Sequence, residues 1–342
     1  MKKSLIALAV LGSMVGAAAA QSSVTLFGIV DANVRYNKGG GVSTQTMGNN
    51  GLASSRLGFR GVEDLGGGLK ASFWIEHRFN SDTGTLSSSR FWHGRSTVSL
   101  SGDFGEVRMG RYLTPSWNAY ADFDPFGTNG VGDIANLYST LGSPADTKTR
   151  ADNMVGYFLP GNLGGFYGEA AVAAGEGTAG GKYVGGRVGY AQGPINVNGG
   201  LSKTETISGD FKTATAAGSY NFGLFKLVGI YSQNKYDING GNTRKQNLYT
   251  LGATMPLGSG TLRASYTTAD ANNAAKAAGF GDADQFAVGY VYDLSKRTAL
   301  YGTASMIKNK ATAKFVVAGQ NAALIKNNYD NGAVEVGIRH AF

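Results

Sequence analysis

The chain has 342 residues but no cysteine, only six prolines and only three histidines. Without cysteine there is no disulfide framework, no thiolate metal site and no cysteine nucleophile. His77, His93 and His340 offer little material for a hydrolase centre, and no recognisable motif joins any of them to a serine. After the first twenty residues there is also no apolar run of the length that a membrane-spanning helix needs. Any membrane-spanning structure must then be a closed sheet, because only helices and closed barrels satisfy every backbone group in lipid. The formal charge is +8, yet lysines and arginines fall singly at alternating positions, which argues against a nucleic-acid surface.

What is abundant is glycine, with 53 residues, together with 17 tyrosines and 17 phenylalanines. The glycines lack a Gly-X-Y period, which excludes collagen, and the aromatics are too frequent for a disordered chain. Residues 1–20 read MKKSLIALAVLGSMVGAAAA: two lysines, an apolar stretch, then Ala18, Ala19 and Ala20. This is the pattern of a secretory signal peptide cleaved before Gln21, and an exported chain without cysteine points to a bacterial source. Loss of Lys2 and Lys3 leaves a formal charge of +6.

The last residues, NGAVEVGIRHAF, alternate Val334, Val336 and Ile338 with Glu335, Gly337 and Arg339 and stop on Phe342. Successive strand side chains point to opposite faces. One apolar face, one polar face and a terminal aromatic fit the wall of an outer-membrane barrel. Other segments alternate likewise: Val24, Leu26, Val30 and Val34 oppose Thr25, Asp31, Asn33 and Arg35, with Phe27 and Ile29 as exceptions. FKLVGIY at 225–231 has no clean alternation. Short turns fall at 63–68, 101–105, 160–165, 192–194, 221–223, 256–260 and 293–296. Longer segments fall near 37–51, 80–89, 112–149, 175–180, 207–210, 236–244, 270–281 and 309–331. Together these predict an all-β chain, a 16-stranded antiparallel transmembrane β-barrel over 21–342, with short turns on one rim and long loops on the other. A soluble sandwich would also alternate, but would not place Trp92, Tyr157, Tyr190, Tyr220, Tyr231, Tyr290 and Tyr292 near strand ends.

Three segments, QSSVTLFGIVDANVRYN, SRLGFRGVEDLGGGLKASFWIEHRF and RSTVSLSGDFGEVRMGR, resemble the general porins of Gram-negative bacteria. So do YDLSKRTALYG and VGIRHAF. The likeness is to the β-proteobacterial branch with its anion-selective members. It implies a homotrimer in the outer membrane, passive diffusion of small hydrophilic solutes, and a third loop folded inward as a constriction. That loop is 112–149, and it carries Asp122, Asp124 and Asp133 around Asp124-Pro125-Phe126-Gly127. The motif is similar, though not identical, to the acidic Pro-Phe-Gly tip of family members.

The resemblance also implies that Arg56, Arg95 and Arg150 form the basic side of the constriction. Parity independently sends Arg56 inward opposite Leu57 and Phe59, Arg95 inward with Thr97 and Ser99, and Arg150 inward with Asp152. Arg60, Arg78, Arg108, Arg263 and Arg339 are expected on the same lumen wall. A charge facing lipid at mid-membrane costs about 2–4 kcal/mol, which is why parity is informative. These arginines outnumber the glutamates expected inside, Glu63, Glu76, Glu106, Glu169 and Glu335, so the expected preference is for anions. The expected partners are small anionic or polar solutes, outer-membrane lipid and lipopolysaccharide, with no nucleic acid. No enzyme activity and no cofactor is assigned, and Ca²⁺ at the acidic loops is left open. A substrate-specific channel or an adhesin on the same barrel is the alternative; Trp74 and Tyr301 are the candidate lumen aromatics, without an ordered series.

Overall fold

A computed structural model describes residues 23–176, 180–321 and 328–342. The signal-peptide reading of residues 1–20 lies outside the described residues. One antiparallel sheet holds β1 (Ser23–Gly39), β2 (Val42–Gly48), β3 (Arg56–Gly66), β4 (Leu69–Arg78), β5 (Arg95–Gly102), β6 (Gly105–Leu113) and β7 (Arg150–Phe158). It continues through β8 (Phe166–Ala173), β9 (Lys182–Gln192), β10 (Ile195–Thr206), β11 (Gly209–Asn221), β12 (Lys226–Ile238) and β13 (Arg244–Leu257). The last four are β14 (Gly260–Ala271), β15 (Ala283–Asp293), β16 (Thr298–Asn309) and β17 (Asn331–Ala341). β1 pairs with β17 and closes the ring. β2 and β3 occupy successive lengths of the same edge of β1, at Asn33–Gly39 and Ser23–Ile29, and so form one stave. The result is a closed barrel of 16 strands. Among the described residues no helix is long and apolar enough to cross a membrane.

The seam shows why glycine is needed. Gly28 and Phe342 exchange backbone hydrogen bonds of 3.0 Å each, and the Phe342 ring lies where a side chain at Gly28 would stand. A Cβ there would also meet the Arg56 carbonyl at 2.9 Å.

Two expected loops are different. Segment 37–51 is largely a hairpin, turning at Gly40 and Gly41 with φ of 61° and 82°. The connection expected at 207–210 is only two residues between β10 and β11. The chain instead leaves the wall at 49–55, between β2 and β3. There the buried Asp31 carboxylate accepts from the backbone N–H groups of Gly51, Leu52 and Ala53 at 3.0, 2.9 and 3.0 Å, and from the Tyr301 hydroxyl at 2.6 Å. Three local donors on one carboxylate substitute for the sheet partners that this stretch gives up.

Outward residues are exposed as lipid-facing ones should be: Val24, Leu26, Val34, Val334, Val336 and Ile338 against buried Asp31, Asn33, Arg35 and Glu335. The ambiguous segment 225–231 is apolar on both faces for a reason. Leu227 and Tyr231 face outward, while Val228 and Ile230 are buried inside. They pack beneath the loop joining β6 to β7, in one cluster with Phe123, Val131, Ile134, Leu137 and Leu248. The inner wall is polar where it meets water and apolar where this loop covers it.

Candidate functional site

The loop between Leu113 and Arg150 enters the barrel and rests on the inner face of β8–β15. It opens with a helix, Pro115–Ala121, capped by Thr114, whose hydroxyl accepts from Trp117 N–H at 3.4 Å, with Pro115 in the first turn. Trp117, Tyr120 and Tyr138 form an edge-packed aromatic group. The Lys148 ammonium lies 4.5 Å from the Tyr138 ring centre and 5.7 Å from that of Trp117. Burial pulls the Lys148 pKa down to about 8, against the opposing pull of Asp133.

Three of the loop's four acids, Asp122, Asp124 and Asp133, differ in role; the fourth, Asp146, is exposed near the loop's end and lines a cavity with Arg90, Arg111 and Asp152. Asp124 is buried and accepts from the backbone N–H groups of Phe126, Thr128 and Ile134 at 2.8, 2.8 and 3.4 Å. It shapes a tip in which Gly127, Thr128 and Gly130 have φ of 64°, 55° and 69°. Burial pushes its pKa up, and so does the neighbouring Asp133, while the three N–H groups pull it down. Asp133 caps the short helix Ile134–Leu137, accepting from Ala135 N–H at 2.7 Å. Of these three only Asp122 presents an exposed carboxylate, and it is ion-paired with Arg187 of β9, which also binds Glu169 at 2.7 Å. Asp122, Asp124 and Asp133 therefore show little free negative charge to the lumen.

Its tip is fastened to the wall by Glu335. One carboxylate oxygen accepts from Val131 N–H at 3.0 Å, and the other meets Arg35 Nη2 and Nε at 2.6 and 3.1 Å. Arg35 Nη1 donates to the Ala318 carbonyl at 2.8 Å. Gly130 is tied in too: it has positive φ, and a Cβ there would collide with the Glu335 carboxylate and the Gly51 carbonyl. A single ion pair thus joins β1, β17, the tip and the last long loop.

The uncovered wall, β3–β7, is basic. Arg56 and Arg78 flank Glu76 at 3.4 and 3.0 Å. Glu76 also stands in register with Arg95. Arg150 Nε donates to the Gly94 carbonyl at 2.7 Å, beside Glu76, and acts on its charge. Lower on the wall, the Trp74 ring lies between two guanidinium groups, Arg95 at 4.7 Å and Arg60 at 5.3 Å, and takes Phe27 edge-on at 4.9 Å. This explains one of the two exceptions in β1: Phe27, like the expected lumen aromatic Trp74, supports arginines on the inner wall. Arg108 pairs with Glu106 at 2.8 Å and covers the Phe158 ring at 4.0 Å. Among the described residues, Arg60, Arg95 and Arg150 have no carboxylate within 4 Å. His93, beside this cluster, has its pKa lowered to about 4 by burial and then by Arg78 and Arg150, so it adds no charge at neutral pH.

Some expected positions change. Arg263 lies on the inner face but is buried, its guanidinium 4.8 Å from the Phe126 ring, so the loop hides it from the open lumen. Arg339 is on the inner parity, opposite Asp31. Asp152 does not join the arginine wall: the pairing of β6 and β7 shifts between Gly110 and Tyr112, with Asn153 at φ 53°, so the parity counted from Val155 and Tyr157 does not carry through to residues 150–152, and Arg150 meets the wall through its bond to Gly94 instead. Asp152 binds Arg111, in register with outward Ser96, and Arg90, at 2.7 and 2.5 Å. Glu63 follows Leu57 and Phe59 to the outward parity. Arg187 and Arg35 were absent from the expected site. Parity with Val184 and Val188 would have placed Arg187 inside, whereas nothing local in the sequence marks Arg35 as the partner of a residue 300 positions away.

Comparison with known proteins places this geometry. The family model described as Gram-negative porin matches residues 7–312. The chain is 45% identical to outer membrane porin protein 32 of Delftia acidovorans, with both chains covered in full. It is 30% identical to an outer membrane porin protein of Bordetella pertussis, again over both full lengths. Its fold matches an anion-selective porin from Comamonas acidovorans with a TM-score of 0.86 at 40% identity, covering 94% of this chain and 100% of that one.

Proposed function

This chain belongs to the Gram-negative porin family and is a protein of the bacterial outer membrane, and from that premise we propose that it is a general diffusion pore that prefers anions. The observation that carries the preference is the unequal balance across the lumen. Arg56, Arg60, Arg78, Arg95, Arg108 and Arg150 face a loop in which Asp124 is buried, Asp133 caps a helix and Asp122 is paired, while Asp146 sits apart with Arg90, Arg111 and Asp152; among the described residues only Glu76 and Glu106 lie within ion-pair distance of these six arginines. A guanidinium stays charged at any working pH. Fixed cations in a narrow, partly low-dielectric passage lower the barrier to anions and raise it to cations. The likeness to the Comamonas acidovorans protein, an anion-selective porin, supports the same reading. The proposal includes a homotrimer embedded in outer-membrane lipid and lipopolysaccharide, with small anionic or polar solutes as cargo.

A general pore has no saturable site. In liposomes carrying the protein, uptake of uncharged saccharides is expected to fall steadily with solute size and to rise linearly with concentration. Swelling-rate measurements check this; saturation by one solute would replace the general pore with a specific channel.

A further inference from the structure

We propose that a row of lysines on the outward face of β10–β13 binds the phosphorylated headgroup of an outer-leaflet glycolipid. The inference rests on the outer-membrane reading above and assigns that lipid a site. The sheet register sets Lys203 opposite Lys212, Lys212 opposite Lys235, and Lys235 opposite Lys245. Each lies on the outward parity: Lys203 with exposed Leu201 and Val197, Lys235 with Tyr231 and Leu227, Lys245 with Tyr249 and Leu251. Like charges directly opposite one another weaken a sheet. Four in line is therefore an arrangement that folding alone does not favour.

A second row, two residues nearer the long-loop rim, offsets part of the repulsion. Glu205 stands opposite Asp210, and Asp210 opposite Asp237. The pairs interlock: Lys182 to Glu205 at 2.6 Å, Lys203 to Glu205 and Asp210 at 3.3 and 3.0 Å. Lys212 meets Asp210 and Asp237 at 3.8 and 2.9 Å, and Lys235 meets Asp237 at 2.9 Å. No carboxylate of the described residues lies within 4 Å of Lys245. Four lysines thus share three carboxylates while Lys245 has none, and the ladder keeps a positive excess. Lys182, Lys203 and Lys212 remain 65%, 38% and 41% exposed, so a ligand reaches them. Exposed ammonium–carboxylate pairs are weak, and a phosphate carrying more charge than one carboxylate competes for the same ammonium groups.

The surface below the lysines fits the rest of such a molecule. A groove runs under them, lined by Val184, Gly186, Leu201, Ala214 and Gln233. Tyr231 and Tyr249, rings 5.2 Å apart, stand four residues further from the rim, about 14 Å along the strand. From the rim inward the order is charge, amide, tyrosine, aliphatic. That is the sequence of environments met by an amphiphile with an anionic head at the interface and acyl chains in the hydrocarbon.

The test uses the full mature barrel, freed of lipid in detergent, with a bisphosphorylated lipid A as probe and its dephosphorylated form as control, read by native mass spectrometry. Replacing the row together, K203Q/K212Q/K235Q/K245Q, is expected to weaken binding of the phosphorylated probe about tenfold or more. The companion variant E205Q/D210N/D237N frees the same lysines and is expected to bind it more tightly than the wild type. Wild-type affinity in the lysine variant, equal affinity for the dephosphorylated lipid, or a companion that binds no tighter would each overturn the proposal. Both variants are expected to conduct ions as the wild type does, so failure here is distinguishable from failure of the pore itself.

Discussion

Glu335→Gln is expected to lower barrel stability by about 3–5 kcal/mol, the usual range for breaking a buried ion pair. The amide keeps the shape of the carboxylate, and its oxygen can still accept from one neighbour. What it removes is the charge that compensates Arg35, whose side chain is only 6% exposed. Because the same carboxylate holds Val131, the pore loop should loosen with it. Denaturant unfolding followed by the shift between folded and unfolded electrophoretic bands reads the stability, and single-channel noise reads the loop. The double replacement Arg35→Leu with Glu335→Leu removes both charges and should recover much of the loss. A Glu335→Gln barrel as stable and as quiet as the wild type would show that this strut does not hold the tip.

Removing Arg56, Arg95 and Arg150 together should have the largest effect on transport. A unit charge at roughly 8 Å acts on a passing ion with about 0.5–2 kcal/mol for effective dielectric constants from about 80 to 20, and salt screening favours the lower end. Each arginine is thus worth roughly two- to fivefold in anion entry. The triple alanine variant is expected to bring the anion-to-cation permeability ratio down by an order of magnitude or more. Arg263→Ala is the informative control: the loop covers Arg263, so it should change the ratio far less than any single wall arginine. An equal effect at Arg263 would mean that total charge, not position, sets selectivity.

The strands and the short turns were legible because lipid imposes a strict rule on one face of every strand. Leu57 and Phe59 announce that Arg56 and Arg60 are inside, and short turns join the staves on one rim near the expected positions. Legibility failed where that rule was suspended. The pore loop brings its own apolar residues to the inner wall, so Val228 and Ile230 look outward-facing when they are not. An irregularity at Asn153 interrupts the parity that would have put Asp152 on the arginine wall. Asp124 carries the same charge as Asp122 in the sequence, yet the tip's backbone N–H groups enclose one and Arg187 meets the other in the lumen. Whether a carboxylate serves the fold or the pore is decided by where backbone donors end up, and that depends on tertiary structure.

The most direct test of the basic bore is the zero-current potential of the wild-type channel in a planar bilayer across a potassium chloride gradient. The account predicts a potential of the sign set by chloride, diminishing as salt rises on both sides and screening increases. A potential of the sign set by potassium would contradict it, because the arginines of β3–β7 would then not govern which ions pass.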